Sequence, residues 1–339
     1  MNSIKQIEVI YDNRLVGRLA LTKESLCAFE YSAEWLNSGF SISPFELPLR
    51  SGVFIAKPRP FDGGFGVFDD CLPDGWGLLI LDRYLQRNGV NPQTLSLLDR
   101  LALVGSTGRG ALEFRPDKSV VSKQEYADFE KLALEAEQIL DSDNYNGEGI
   151  EEFQYRGGSP GGARPKIFTR YDGKEWLVKF RAKRDSKQIG EDEYCYSLLA
   201  KECGIEMPET RLFEDKYFGV ERFDRILNGK LHVVSVAGLI GADYRLPSID
   251  YLHIFKVCAA LTHNVAEIWK VPIPFPGRQE AAREQPVLSQ HLLICVCVVQ
   301  PEAQLHVWHT FLFPAFDARC GNRKNHGLIC LLPCIGDTV

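Results

Sequence analysis

The residues best suited to chemistry lie in one short stretch, Gly157 to Lys166, which reads GGSPGGARPK. Four glycines and a serine within six residues cannot pack a core. They let backbone amides approach an anion closely, because no Cβ intervenes and positive φ costs little. The run is neither a Walker A loop, which needs Gly-Lys-Ser/Thr, nor a G-x-G-x-x-G turn. Taken alone it reads as a plain flexible turn before it reads as a phosphate cradle. Lys179 follows thirteen residues after Lys166, inside the apolar run Trp176–Phe180. A lysine there is costly to bury unless it is paired, or unless its stem is buried and its head reaches water. A carboxylate follows at Glu191 or Glu193. Gly-rich loop, strand lysine and helix glutamate, in that order, are the parts that hold a nucleoside triphosphate for phosphoryl transfer.

These residues need strands and a helix to position them. Trp176–Phe180 reads as the strand that carries Lys179. Glu191–Cys203 reads as a helix with Tyr194, Cys195, Leu198 and Leu199 on one face, stopped by Gly204 and Pro208. Tyr217–Glu221 reads as a short strand and Leu252–Leu261 as a helix. Upstream, Ile7–Leu21 alternates like a hairpin around Asp12-Asn13. Leu78–Gln86 and Thr94–Val104 are helical in pattern. Lys123–Leu140 carries an apolar stripe (Tyr126, Phe129, Leu132, Ala133, Ala136, Leu140) at three- and four-residue spacing. Asp141–Gly149 lacks apolar periodicity and marks a boundary.

Further motifs join the loop, the strand and the helix. Val16–Leu19 reads VGRL and Tyr31–Leu36 reads YSAEWL. Phe68–Gly77 reads FDDCLPDGWG, Gly105–Phe114 reads GSTGRGALEF, and Val220–Arg225 reads VERFDR. In this order the motifs resemble the HipA-like serine/threonine kinases of bacterial toxin–antitoxin modules, over roughly residues 7 to 271. The resemblance implies an α+β fold: a β-rich N-terminal subdomain (1–120), a helix and linker (121–149), a protein-kinase-like nucleotide-binding region (150–271), then a helical C-lobe. It implies ATP and Mg²⁺ as cofactors and Ser159 as the serine that these kinases autophosphorylate. The ATP site would comprise Gly161, Gly162, Ala163, Arg164, Lys166, Lys179 and Glu193, with Glu221, Arg222 and Phe223 holding adenine through the backbone. The implied partners are a helix-turn-helix antitoxin and a protein substrate such as a translation factor. Nucleic acid would be reached only through the antitoxin.

The family's catalytic equipment belongs after about Val271, and there the match ends. No aspartate lies between Asp250 and Asp317, so no residue matches the catalytic base. Pro314-Ala315-Phe316-Asp317 matches the metal-binding motif and makes Asp317 the metal candidate. Residues 272–339 hold five of the ten cysteines and four of the seven histidines, with a single lysine. Pro272, Pro274 and Pro276 interrupt any helix there. This text is what a shifted reading frame produces, with a divergent ending as the competing explanation. The chain is therefore expected to be an active kinase toxin or a pseudokinase relic that keeps nucleotide and antitoxin binding.

Composition sets the outer bounds. The 339 residues are 45% hydrophobic and 25% charged, with net charge −6, which fits a folded chain and disfavours a chain-wide nucleic-acid surface. No apolar run approaches the roughly 20 residues of a membrane span. With no signal-peptide pattern at the N-terminus, reduced thiols and a cytoplasmic location are expected.

Overall fold

In the computed structural model, Asp12 and Asn13 both adopt positive φ, 47° and 59°. This is the mirror-image turn that suits the twist of a two-residue hairpin. It joins β1 (Gln6–Tyr11) to β2 (Arg14–Leu21), with Tyr11 opposite Arg14. The structure describes residues 3–120, 127–142, 145, 147, 149–157, 161–202, 207–246 and 248–263, and the backbone of 292–297 and 306–311. β3 (Cys27–Tyr31), β4 (Val53–Ile55) and β5 (Leu112–Arg115) complete an antiparallel sheet in the order β4-β3-β2-β1-β5.

Four helices accompany this first sheet: α1 (Ala33–Ser38), α2 (Gly66–Asp69), α3 (Gly75–Arg87) and α4 (Leu97–Val104). α4 starts later than its apolar pattern suggests. Ser96 and Asp99 form a reciprocal capping box, and residues Pro92–Thr94 make a separate single turn. The box satisfies two end amides at once and so fixes the start.

The second sheet runs β6 (Lys166–Tyr171), β7 (Lys174–Lys179), β8 (Thr210–Phe213) and β9 (Tyr217–Glu221), all antiparallel, in the order β6-β7-β9-β8. α5 (Phe129–Asp141), capped by Asp128, and α6 (Gly149–Gly157) bury Phe129, Leu132, Ile139 and Phe153 against Ile167, Trp176, Val178 and Phe213. Lys123 to Tyr126, the expected first turn of α5, lie outside the described residues.

α7 (Ile189–Glu202) packs on β8 and β9. Its rotation corrects the sequence reading. Gly190, Glu193, Ser197 and Ala200 are buried, whereas Cys195 is exposed and Leu198 and Leu199 are 40% and 39% exposed. The expected apolar face looks outward because polar partners set the rotation. Glu193 must reach Lys179, and the Ser197 hydroxyl donates to Thr210 Oγ1 at 2.9 Å.

The two cores do not follow chain order. Trp76 and Ile80 of α3 enter the second core. After a small hairpin, β10 (Arg225–Ile226) and β11 (Gly229–Lys230), the chain returns to the first core. It does so through β12 (Val233–Ser235), α8 (Val236–Ile240) and α9 (Tyr251–Thr262), burying Val234, Leu239, Ile254 and Cys258 there. α8 crosses α2 with backbones in contact: a Cβ on Gly66 would lie 2.2 Å from the Gly238 carbonyl oxygen. β13 (Leu292–Cys297) and β14 (His306–Phe311) extend β12 into a three-stranded sheet. The described part of the tail is thus strand, where the resemblance implies a helical lobe. Among the described residues, no helix is long and apolar enough to cross a membrane.

His232 fastens this return to the first sheet. Its ring is buried, its Nε2–H donates to the Ile42 carbonyl at 2.8 Å, and it packs on Phe40. Burial pushes its pKa down to about 4, although the Ile42 bond works the other way. A histidine held neutral in this way favours folding least where the unfolded chain takes up the proton. Stability should therefore fall as pH drops from about 6.5 towards 4, by up to ~3 kcal/mol. Melting curves of wild type and His232→Asn across that range test it. Parallel pH dependence in the two chains would remove His232 as the cause.

Candidate functional site

Lys179 ends β7 at the rim of the second sheet. Side chains alternate along a strand, so Trp176 and Val178 face the core and Leu177 and Lys179 face the other way. Lys179 Nζ lies 2.7 Å from Glu193 Oε2, with side chains 5% and 4% exposed. It also sits 5.1 Å from the centre of the Phe218 ring. Of the two carboxylates left open by sequence, Glu193 meets the lysine and Glu191 is exposed. Glu193 also receives Arg164 at 3.4 Å, and Arg164 reaches Asp185 at 2.9 Å. A buried pair of this kind is weak support for stability and stands out as a place where charge is kept for another purpose.

Lys166 is the direct cross-strand neighbour of Lys179. It is 1% exposed and donates to the Gly161 carbonyl at 2.5 Å. Burial first, and Lys179 second, lower its pKa to about 7, with Asp74 and Glu193 opposing. Two lysines this close create a positive field that an anion would relieve. Next to them on the same sheet face, Phe168, Leu177 and Val220 lie in register and remain half-buried. The face therefore offers a flat apolar strip leading to two cations and a glycine loop.

The loop itself rests on the first subdomain. Asp74 Oδ1 accepts the Gly162 amide at 2.5 Å, and the Trp76 amide donates to the Gly162 carbonyl at 3.1 Å. Gly75 sits at φ 43°, and a Cβ there would come within 2.7 Å of the Gly162 backbone. Only glycine fits this turn and this approach.

The VERFDR segment makes a second polar centre. Trp176 pairs with Glu221 across β7 and β9, three residues along from Lys179. The Glu221 amide donates to the Glu209 carbonyl and the Arg222 amide to the Glu175 carbonyl, each at 2.8 Å. The Glu221 side chain receives Lys174 at 2.9 Å. The Arg222 guanidinium lies 3.9 Å over the Phe168 ring and pairs with Asp224 at 2.8 Å. Arg222 thus closes the far end of the apolar strip. Phe223 is half-buried beside it.

Gly161, Gly162, Ala163, Arg164, Lys166, Lys179 and Glu193 are brought together at one end of the sheet face. Glu221, Arg222 and Phe223 lie at the other. Ser159 and Asp317 lie outside the described residues. Among the described residues, no group of three or more His, Cys, Asp or Glu is placed to hold a metal ion. A cavity of about 420 Å³ adjoins the ion pair, lined by Lys179, Glu193 and Arg164 and by residues of α5 and α7, but by none of the loop's glycines. In the basic segment Arg181–Lys187, Arg181 pairs with Glu137, and Lys183 with Asp141 at 2.8 Å. Sequence reading gave no role to Asp74, Asp185, Arg109 or Asp224. Asp74 is part of the FDDCLPDGWG motif, but its partner is 88 residues away, and local pattern carries no trace of such a pairing.

Residues 7–115 match the family described as HipA N-terminal domain, and residues 158–272 match the HipA-like C-terminal domain. A solved Shewanella oneidensis MR-1 structure of the toxin–antitoxin system HipA, HipB and its operator DNA shares the fold, with TM-score 0.55 and 20% identity. The match covers 78% of this chain and 66% of that one, so the chain spans a little less than two thirds of that relative.

Proposed function

The chain belongs to the HipA family, and on that premise we propose that it binds ATP with Mg²⁺ and serves as the toxin component of a toxin–antitoxin module. One observation carries the proposal: the buried Lys179–Glu193 pair stands beside a glycine loop, at the end of an open apolar strip. The residues fit the ligand. Phe168, Leu177 and Val220 offer a base its apolar surface, and the Glu221–Phe223 backbone runs along its edge. Lys166 and Lys179 neutralise phosphate charge, and the Gly161–Arg164 backbone closes over it. Glu193 holds Lys179 in place. When bound, ATP supplies the phosphoryl group, and Mg²⁺ would be held by the phosphates and Asp317. A helix-turn-helix antitoxin is the proposed partner, with DNA reached through it, supported by the HipA–HipB–operator complex that shares this fold. The proposed substrate of the family reaction is a serine or threonine of a cytoplasmic protein such as a translation factor. Calorimetric titration of the full chain with ATP and Mg²⁺ tests the binding, and absence of heat at millimolar nucleotide would refute it.

A second reading, nucleotide binding without transfer, is favoured by one sequence fact: residues 251–316 contain no aspartate. Phosphoryl transfer of this type uses an aspartate to accept the hydroxyl proton. Losing such a contact costs powers of ten in rate, about 1.4 kcal/mol for each. The expected outcome is no phosphate on Ser159 or on added protein after incubation with ATP and Mg²⁺. Phosphopeptide mass spectrometry reads it, with Ser159→Ala as the control. Stoichiometric phosphate on Ser159 in purified wild type would overturn this reading in favour of an active kinase.

A further inference from the structure

The glycine loop is shaped by two separate parts of the chain, and the part that has no place in the nucleotide reading is the turn Pro73–Trp76. Asp74 occupies the N-cap position of α3, where an aspartate ordinarily accepts from an amide of its own first turn. Here its carboxylate makes no cap bond. It is turned instead to the amide of Gly162, at 2.5 Å. The following residues complete the contact. Gly75 lies against the Gly162 backbone, and the Trp76 amide donates to the Gly162 carbonyl. The N–H and the C=O of Gly162, which belong to the peptide units on its two sides, are therefore both held by the first subdomain. From the other side, Lys166 holds the Gly161 carbonyl. Arg109, which donates to the Asp70 carbonyl at 2.8 Å, places its guanidinium against Gly161. The peptides on either side of Gly162 cannot rotate independently of these contacts.

We infer that Asp74 is a positioning residue for the phosphate loop: it fixes the orientation of the Gly162 peptide, so that the loop presents its neighbouring amides to the face where Lys166 and Lys179 converge. The inference rests on the nucleotide reading above. It adds that the anion site is bipartite, with its mould in the N-terminal subdomain. A carboxylate is the suitable acceptor for this task. A charge-assisted bond to a backbone amide is about twice as strong as a neutral one and holds direction well. A rigid loop binds phosphate without first losing the entropy of ordering itself.

The test is titration of the full chain with ATP and Mg²⁺ and, separately, with adenosine, for wild type, Asp74→Ala and Asp74→Asn. Asp74→Ala should weaken ATP on the order of tenfold to a hundredfold, the worth of one hydrogen bond to a charged group. It should leave adenosine affinity unchanged, because the base strip is built from β6, β7 and β9. Asp74→Asn keeps a carbonyl acceptor at the same position and should recover most of the lost affinity. Equal losses of ATP and adenosine in Asp74→Ala would overturn the inference and leave Asp74 a purely structural residue. Unchanged ATP affinity in Asp74→Ala would overturn it as well. Failure of wild type to bind ATP would bring down the nucleotide reading and this inference together, and is told apart from the other two by the wild-type titration alone.

Discussion

Replacing Lys179 by alanine is expected to weaken ATP binding on the order of a hundredfold. The ammonium is the one strand cation joined to a helix carboxylate in the site, 2.7 Å from Glu193 and almost fully withdrawn from water. Its position at the end of β7 is fixed by backbone pairing to Lys166 on one side and by β9 on the other. A bond from such a group to phosphate is worth roughly 1.5–3 kcal/mol, more where water is excluded, so the loss in affinity is on the order of a hundredfold. Some of the effect will be on folding. Removing one partner of a buried pair costs about 3–5 kcal/mol when the other charge is stranded. Glu193 is not wholly stranded, because Arg164 lies 3.4 Å from it. The folding cost should therefore fall at or below the lower end of that range. Glu193→Gln offers the contrast. It keeps the lysine charge and the shape of the helix face, so ATP should weaken without disappearing. Calorimetry of the three chains, with melting curves alongside, separates binding from folding. Equal ATP affinity in wild type and a folded Lys179→Ala chain would take Lys179 out of the site.

Much of this site was legible in the sequence, and the reasons are physical. The glycine loop, the strand lysine and the helix acid each announce themselves by local composition, because each does something that its neighbours could not. What local pattern could not give was rotation and distant pairing. α7 was read by its leucines, and its leucines face outward. The deciding term was the pairing of Glu193 with a lysine fourteen residues upstream, on another element. For the same reason local pattern leaves Glu191 open beside Glu193, and the resemblance, which implies Glu193, names the carboxylate that meets Lys179. The expected hairpin at Asp12-Asn13 was safe because two left-handed residues leave few alternatives. α4 starts at Leu97 and not at the expected Thr94 because the Ser96–Asp99 capping box fixes its first turn. Asp74 and Asp224 were invisible as functional groups. Each acts on a glycine loop from another part of the chain, 88 and 114 residues away.

Asp224 gives the largest expected effect on stability. Its carboxylate is 4% exposed and accepts four bonds: two from Arg222, one from Arg225 and one from the Gly110 amide. The same two arginines donate to the carbonyls of Gly108 and Gly110. The network therefore rivets the Gly105–Gly110 loop of the first subdomain to the end of β9. Burial alone would raise the Asp224 pKa, but Arg222 and then Arg225 overcome it and hold the group at about 2. Asp224→Ala leaves two guanidiniums, 6% and 13% exposed, facing one another with Glu175 as the carboxylate that both still reach. The expected cost is about 3–5 kcal/mol at neutral pH. For a chain of this size that lowers the melting temperature by roughly 10 °C. The pH dependence has a definite sign. A carboxyl whose folded pKa lies below its unfolded value stabilises the fold above about pH 4, and that stabilisation is lost as pH falls towards 2. Wild type and variant should therefore converge in acid and separate on return to neutrality. Because the Glu221–Phe223 backbone runs directly into this network, Asp224→Ala should also weaken adenosine, which Asp74→Ala should not. A variant that melts within two or three degrees (roughly 1 kcal/mol) of wild type at neutral pH would show that the arginines find other partners and that Asp224 is not what fastens the Gly105–Gly110 loop to β9.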